Sequence, residues 1–339
     1  MSDRIPLSPP VIEPLQAAAS RPLWSVMIPA YNCITYLRQT MESVLRQDPG
    51  REKMQIEVVD DGSTDGDVEA LVQEVGKGRI GFFRQEKNRG SLRNFETCLN
   101  RSKGYLVHLL HGDDLVLDGF YTEMEKMFHQ FPQIGAGFTR YRYIDHAGTM
   151  TLPGPVLLEQ PGIIKDFLSQ IAQKQMVQAV AMVVKREVYE QLGSFFAVHY
   201  GEDWEMWIRI AAHYEVAYSP ACLAVYRGGQ GHAASITSSF LSTGQNIRDI
   251  TKVIDIVQSY LPREKRRVLK KLARMNFSRH YAKASHNIYH YNPKAAFVQA
   301  NGALKMNQNI KTVYWVVKLY LLHCRKLIST FNYSLWQTK

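Results

Sequence analysis

Cysteine is scarce and scattered. The four residues in a chain of 339, Cys33, Cys98, Cys222 and Cys324, form no CxxC pair. That excludes a zinc ribbon and a disulfide scaffold and fits a reducing compartment. Long apolar runs are also missing. The most apolar late stretch, Val313 to Leu322, is ten residues long and contains Lys318, whereas a membrane-spanning helix needs about 20 apolar residues. Residues 1–22 are polar and rich in Pro and Ala, with no apolar signal-peptide core; they are expected to form a flexible leader, and the protein is expected to be cytoplasmic. Internal repeats and low-complexity tracts are absent. Acidic residues are nearly absent from the last hundred positions: residues 240–339 hold 18 Lys and Arg against 3 Asp and Glu, a net of +15, while residues 1–239 hold 23 against 28, a net of −5. A mildly acidic body thus carries a strongly basic tail, which favours an anionic partner.

The rest of the composition is that of a globular protein, with 45% apolar and 21% charged residues, and the length allows two domains. From Trp24 to Leu110, strand-like and helix-like patterns alternate. Strands are expected at Trp24–Pro29, Gln55–Asp60, Ile80–Arg84 and Tyr105–Leu110. Helices are expected at Ile34–Arg46, Asp65–Val75 (capped by Ser63 or Thr64) and Gly90–Asn100. Repeated βα units of this kind give an α/β fold with a largely parallel sheet flanked by helices. Further on, strands are expected at Ile134–Tyr143, Val177–Lys185 and Ala221–Tyr226, and helices at Gly162–Gln173, Arg186–Leu192 and Glu202–His213. From about residue 240 the chain reads as helical throughout.

Polar clusters follow the strands directly, and open α/β sheets bind ligands beyond the carboxyl ends of their strands. Asp60-Asp61-Gly62-Ser63-Thr64-Asp65 places two adjacent carboxylates at a strand end, which need a cation or donors to offset their repulsion. An Asp-Gly turn with a helix cap accounts for the same residues in purely structural terms. His111-Gly112-Asp113-Asp114 is a second acidic pair, suited to a hard divalent cation with phosphate oxygens completing its shell. In Glu202-Asp203-Trp204-Glu205-Met206-Trp207-Ile208-Arg209 the acids suit a helix N-terminus, or Asp203 is a general base flanked by Trp204 and Trp207. In Asn88-Arg89-Gly90-Ser91-Leu92-Arg93-Asn94, two arginines lie four residues apart at a helix start, where free N–H groups also bind anions.

The order Pro29-Ala30-Tyr31-Asn32, Asp60–Asp65, Asn88–Asn94, His111–Asp114 and Glu202–Arg209 resembles the family 2 glycosyltransferases, inverting enzymes of the GT-A fold, from about Trp24 to Arg227. The resemblance implies that Ala30, Tyr31 and Asp60 or Asp61 hold the base and ribose of a nucleotide-sugar donor, a UDP-sugar most often, with Pro29 and Asn32 also donor-binding. Asn88 and Arg93 would lie on the donor side, Arg93 near the diphosphate. Asp113 and Asp114 would match the metal motif for Mg²⁺ or Mn²⁺, with Asp114 the direct ligand. Asp203 would be the catalytic base, with Glu202 beside it, and Trp204 and Trp207 would face the acceptor. The chain departs from the family pattern at His111, where many relatives carry an acid. It also departs in the loop Tyr226-Arg227-Gly228-Gly229-Gln230-Gly231-His232, where Arg227 or His232 would close over the diphosphate. The domains expected are the leader (1–22), a GT-A catalytic domain (23–238) and a basic helical region (239–339). The acceptor implied is a glycan or lipid-linked glycan of a bacterial surface polysaccharide. The alternative reading is a non-catalytic nucleotide-sugar-binding or membrane-associated scaffold of the same fold.

In the basic region, Lys311, Lys318 and Arg325 recur every seven residues, beside Val313, Val317, Tyr320, Leu321 and Ile328, with Tyr314, Trp315 and Trp336 as interfacial aromatics. A helix lying on an anionic membrane, over residues 260–339, is one reading. A packed bundle with a solvated basic face, or self-association as a homo-oligomer, is the other. No nucleic-acid-binding motif coincides with the charge, and nucleic acid is not expected as a partner.

Overall fold

A computed structural model describes residues 4–16, 20–145, 147–228 and 236–337. The chain divides into two compact units, residues 1–171 with 175–232 and residues 172–174 with 233–339.

The first unit begins with β1 (Trp24–Ala30), α1 (Ile34–Leu45), β2 (Met54–Asp60), α2 (Val68–Gly76), β3 (Gly81–Arg84), α3 (Ser91–Arg101) and β4 (Leu106–Leu109). It continues with β5 (Leu115–Val116), α4 (Phe120–Gln130), β6 (Ala136–Ile144), β7 (Gly162–Ile163), α5 (Phe167–Ile171), β8 (Met182–Lys185), α6 (Arg186–Leu192), α7 (Glu202–His213) and β9 (Val216–Arg227). The sheet order is β3-β2-β1-β4-β8-β6-β9-β5, with β7 on β9. Strands β3, β2, β1 and β4 are parallel. They are the four expected from the sequence, and β1 is buried at every residue, as a central parallel strand should be. Beyond β4 the sheet is mixed: β8 runs antiparallel to both β4 and β6, whereas β6 and β9 are parallel.

Several expectations are corrected. Gly162–Ile163 pairs with β9 rather than starting a helix, and only Phe167–Ile171 is helical; β-branched Ile163 and Ile164 suit the extended backbone. The cap of α2 is Asp67, whose carboxylate accepts from Ala70 N at 3.0 Å. Ser63 is diverted to Asp60 and Asn32 instead. The stretch expected as a loose leader is pinned over Pro6–Glu13: Ile12 is fully buried, the Pro6 and Pro10 carbonyls accept from Ala197 N and Ser194 N, and Glu13 O accepts from Arg186.

The second unit is helical: α8 (Ile236–Thr243), α9 (Gln245–Ile256), α10 (Arg263–Tyr289), α11 (Pro293–Met306) and α12 (Ile310–Gln337). Its interior is lined by small residues of α11, Ala295, Ala296, Ala300 and Ala303, all almost fully buried. A buried amide pair, Asn246 with Gln299 at 2.9–3.0 Å, ties α9 to α11. Among the described residues, no helix is long and apolar enough to cross a membrane.

Candidate active site

The polar clusters meet at the carboxyl ends of β1, β2 and β4. The chain leaves β1 through Tyr31, which is 44% exposed, and Asn32, whose φ of 49° lies in the left-handed region that Asn tolerates. Asn32 Oδ1 accepts from Thr64 N at 2.8 Å, and Asn32 N donates to Ser63 Oγ at 3.0 Å. The ends of β1 and β2 are thus cross-linked by side chains from the Asp60–Asp65 turn. Asp65 Oδ2 accepts from Ile34 N at 2.9 Å and so serves the first turn of α1.

The two carboxylates of this turn differ in role. Asp61 is a pin. Its oxygens accept from Arg89 N (2.7 Å), Gly90 N (2.8 Å) and Asn88 Nδ2 (2.9 Å), drawing residues 88–90 onto the sheet edge. Burial raises its pKa and the two backbone donors lower it. Asn88, expected on the donor side, is held by this pin and also accepts from Arg4. Asp60 is fully buried. Its Oδ1 holds Ser63 N and Oγ, and its Oδ2 lies 3.3 Å from the Arg84 guanidinium. Arg93, in the first turn of α3, pairs with Glu96 at 2.7 Å.

The turn after β4 holds the second acidic pair. It passes so close to β1 that a Cβ on Gly112 would lie 2.7 Å from Cys33 Sγ and 3.3 Å from Pro29 O. His111, Asp113 and Asp114 bring potential ligand atoms within 4.8 Å of one another. The His111 ring stacks on Phe95 at 5.2 Å, and burial lowers its basicity. Asp114 is fully buried. Its Oδ1 accepts from Arg227 N at 2.7 Å, whereas Oδ2 has no partner among the described residues. Burial, with the charge of Asp113 added, pushes its pKa well up. A buried carboxylate oxygen left unpartnered is costly, and a hard cation offsets that cost. The oxygen-rich donor set therefore fits Mg²⁺ or Mn²⁺.

Arg227, expected over the diphosphate, is nearly buried. Its guanidinium donates to Asp113 O (2.8 Å) and Gln39 Oε1 (2.9 Å) and covers the Tyr36 ring at 4.3 Å. Here it clamps the aspartate turn. His232 lies outside the described residues.

Asp203 opens α7 beside Glu202. Asp203 Oδ1 accepts from Trp204 N at 2.7 Å and Oδ2 from Gln175 Nε2 at 2.6 Å. Burial of the carboxyl raises its pKa to about 6, against the pull of these donors. That places it near the range useful to a general base. Trp204 and Trp207 do not face an acceptor. They are 0% and 2% exposed, and Trp204 Nε1 donates to Ile171 O at 2.7 Å. Their i, i+3 spacing marks the core face of α7, with Trp207 packed edge-on to Phe195.

Sequence reasoning missed two features here. Gln175, the donor to Asp203, stands in a loop outside any motif; its Oε1 is buried without a partner among the described residues. The second is an aromatic run from adjacent strands, Tyr141, Tyr143 and Tyr226, with ring centroids 5.8 and 5.6 Å apart. Tyr143 is 38% exposed. The i, i+2 spacing in β6 and the Tyr143–Tyr226 register are the signals that could have found it. Burial raises the Tyr226 phenol, and the charges of Asp114, Asp113 and Asp203 add to the effect, so Tyr226 stands in the field of both acidic groups.

Fold and site together define a GT-A glycosyltransferase. Residues 25–193 match the sequence profile of glycosyl transferase family 2, and the chain belongs to that family. It is 27% identical over 213 residues to the putative teichuronic acid biosynthesis glycosyltransferase TuaG of Bacillus subtilis, covering 61% of this chain and 79% of that one. The match to the chondroitin synthase of Escherichia coli, 28% over 133 residues, covers 39% of this chain but only 19% of the synthase. Among solved structures, S. aureus TarS residues 1–349 in complex with UDP-GlcNAc has a TM-score of 0.61 at 14% identity, over 82% of this chain and 79% of that one. The Pyrobaculum calidifontis mannosyltransferase PcManGT, in complex with GDP-Man and Mn²⁺, has a TM-score of 0.55 at 18% identity, over 94% and 86%. Both share the fold.

Proposed function

We propose that this protein is an inverting glycosyltransferase that moves a sugar from a nucleotide-sugar donor, a UDP-sugar in the first instance, to a hydroxyl of a glycan or lipid-linked glycan during synthesis of a bacterial surface polysaccharide. The observation that carries the reading is a carboxyl with a pKa near 6, Asp203, in the same electrostatic neighbourhood as the Asp113–Asp114 turn with its unpartnered buried oxygen. The polysaccharide setting is supported by the likeness to TuaG and to the chondroitin synthase. The donor class is supported by the nucleotide sugars bound to TarS and PcManGT.

In this reading the base and ribose lie against Pro29–Asn32 and the Asp60–Arg84 pair, with the diphosphate running toward Arg93. Asp113 and Asp114, with His111 beside them, would hold a divalent cation, which would supply charge neutralisation at the diphosphate. Asp203 accepts the proton of the acceptor hydroxyl. The hydroxyl oxygen bonds to the anomeric carbon on the face opposite the leaving group, and the carbon–oxygen bond to the diphosphate breaks with its electron pair going to the nucleoside diphosphate. One displacement inverts the configuration and needs no covalent enzyme intermediate. Gln175 orients Asp203, and Glu202 adds negative charge at the start of α7.

The test is Asp203→Asn assayed with a panel of UDP-, dTDP- and GDP-sugars. The expected result is loss of transfer by about 10²-fold or more with nucleotide binding retained. Transfer at the parent rate would contradict the assignment of the base.

A further inference from the structure

Among the described side chains, helix α12 has two apolar faces, of which one is buried and the other exposed. Thr312, Val316 and Leu319 are buried within the second unit. The other face carries Ile310, Tyr314, Val317, Leu321 and Ile328, which are 85%, 57%, 51%, 57% and 62% exposed. These positions are spaced four, three, four and seven residues apart, so they form one continuous stripe along the helix. A solvated helix face is normally polar; a contiguous apolar stripe marks an interaction surface.

What occupies the stripe follows from charge. Lys311, Lys318 and Arg325 border it at seven-residue intervals, and α12 contains no Asp or Glu. Lys318 lies over the Trp315 ring at 4.8 Å, holding its charge at the margin of the apolar strip. The surrounding residues 240–339 carry a net +15. A second copy of this chain would bring two such fields together, and packing stripe to stripe would set cations against cations without acids to pair them. A bilayer surface with anionic headgroups matches both features: acyl chains take the apolar stripe and headgroup phosphates take the lysines and arginine.

We infer that the exposed face of α12 docks on an anionic lipid bilayer, with the helix lying in the interface plane. The inference does not depend on which sugar is transferred or on whether Asp203 is the base.

The test is co-sedimentation of the full chain with vesicles of phosphatidylcholine alone and with about a quarter phosphatidylglycerol, at about 0.1 M and about 0.5 M salt. Light scattering records the oligomeric state. The chain should pellet with the anionic vesicles at low salt, and partition at least about tenfold less onto phosphatidylcholine or at high salt. Val317→Asp with Leu321→Asp, at exposed positions, should abolish pelleting while leaving the melting temperature and nucleotide binding unchanged. If that variant melts early, Lys311→Gln with Lys318→Gln serves instead, and should weaken binding to the anionic vesicles about tenfold. Three results overturn the inference: no pelleting of the parent with anionic vesicles, pelleting that a folded stripe or charge variant leaves unchanged, or a parent dimer that the stripe variant splits and that ignores vesicles.

Discussion

At the scale of single residues, the proposed chemistry turns on Asp203. As the proposed general base it works only when ionised, and burial raises its pKa to about 6. Transfer should therefore climb as pH rises through about 6 and level off above it, with kcat/KM against pH as the measurement. Gln175 donates to the carboxylate and so favours its ionised form. Gln175→Leu removes that donor. The acidic limb of the profile should move to higher pH, and a merely structural role for Gln175 would lower the rate without moving the limb. The same shift has a stability consequence. The folded state holds the Asp203 proton to higher pH than the unfolded chain, whose ordinary value is 3.8. The Asp203 contribution therefore favours the fold below about 4, declines as pH rises through about 6, and is absent in Asp203→Asn.

At the scale of elements, the site depends on how the strand ends are tied together. Gly112 permits the aspartate turn to lie against β1, with Cys33 Sγ 2.7 Å from where a Cβ would stand. Gly112→Ala must displace Cys33 or the turn; the expected cost is about 1–3 kcal/mol in chemical denaturation, together with weaker cation-dependent nucleotide binding. A second tie is aromatic. His111 stacks on Phe95, Phe95 meets Phe195 at 5.4 Å, and Phe195 meets Trp207 at 6.2 Å, so a packed row runs from the aspartate turn to α7. Phe95→Ala should cost about 3–5 kcal/mol in the same experiment and lower transfer by loosening both ends. The element scale also explains the misplacement of Trp204 and Trp207. An apolar face at helical spacing points to the core far more often than to a ligand, and both side chains obey that rule.

At the scale of the whole molecule, the legible half of the sheet is the parallel half. Strands β1, β2 and β4 are buried runs and β3 is the more exposed edge, and helices with clear periodicity separate the four, so their order follows from the βα alternation. The other half was only partly legible, for physical reasons. β5 and β7 have two residues each, too few for any period. β8 is preceded by a single 3₁₀ turn at Ala179–Ala181 that reads as strand, and α4 falls between motifs. The acidic clusters were legible because they directly follow the parallel strands, where open α/β sheets bind ligands. Which carboxylate of each pair is structural was not, because it depends on the contacts that Asp61 makes with Arg89 and Gly90, 28 and 29 residues away. The charge division between body and tail was plain in the sequence. The unpartnered face of α12 emerged only once burial separated its two apolar stripes.

The most direct test of the central claim is calorimetric titration of UDP and UDP-sugars into the parent and Asp114→Asn, each with and without Mn²⁺. The account expects nucleotide binding that Mn²⁺ strengthens by at least about tenfold in the parent, with the strengthening lost in Asp114→Asn. Binding that is indifferent to Mn²⁺, or equally strengthened in the variant, would contradict the placement of a cation on the Asp113–Asp114 turn.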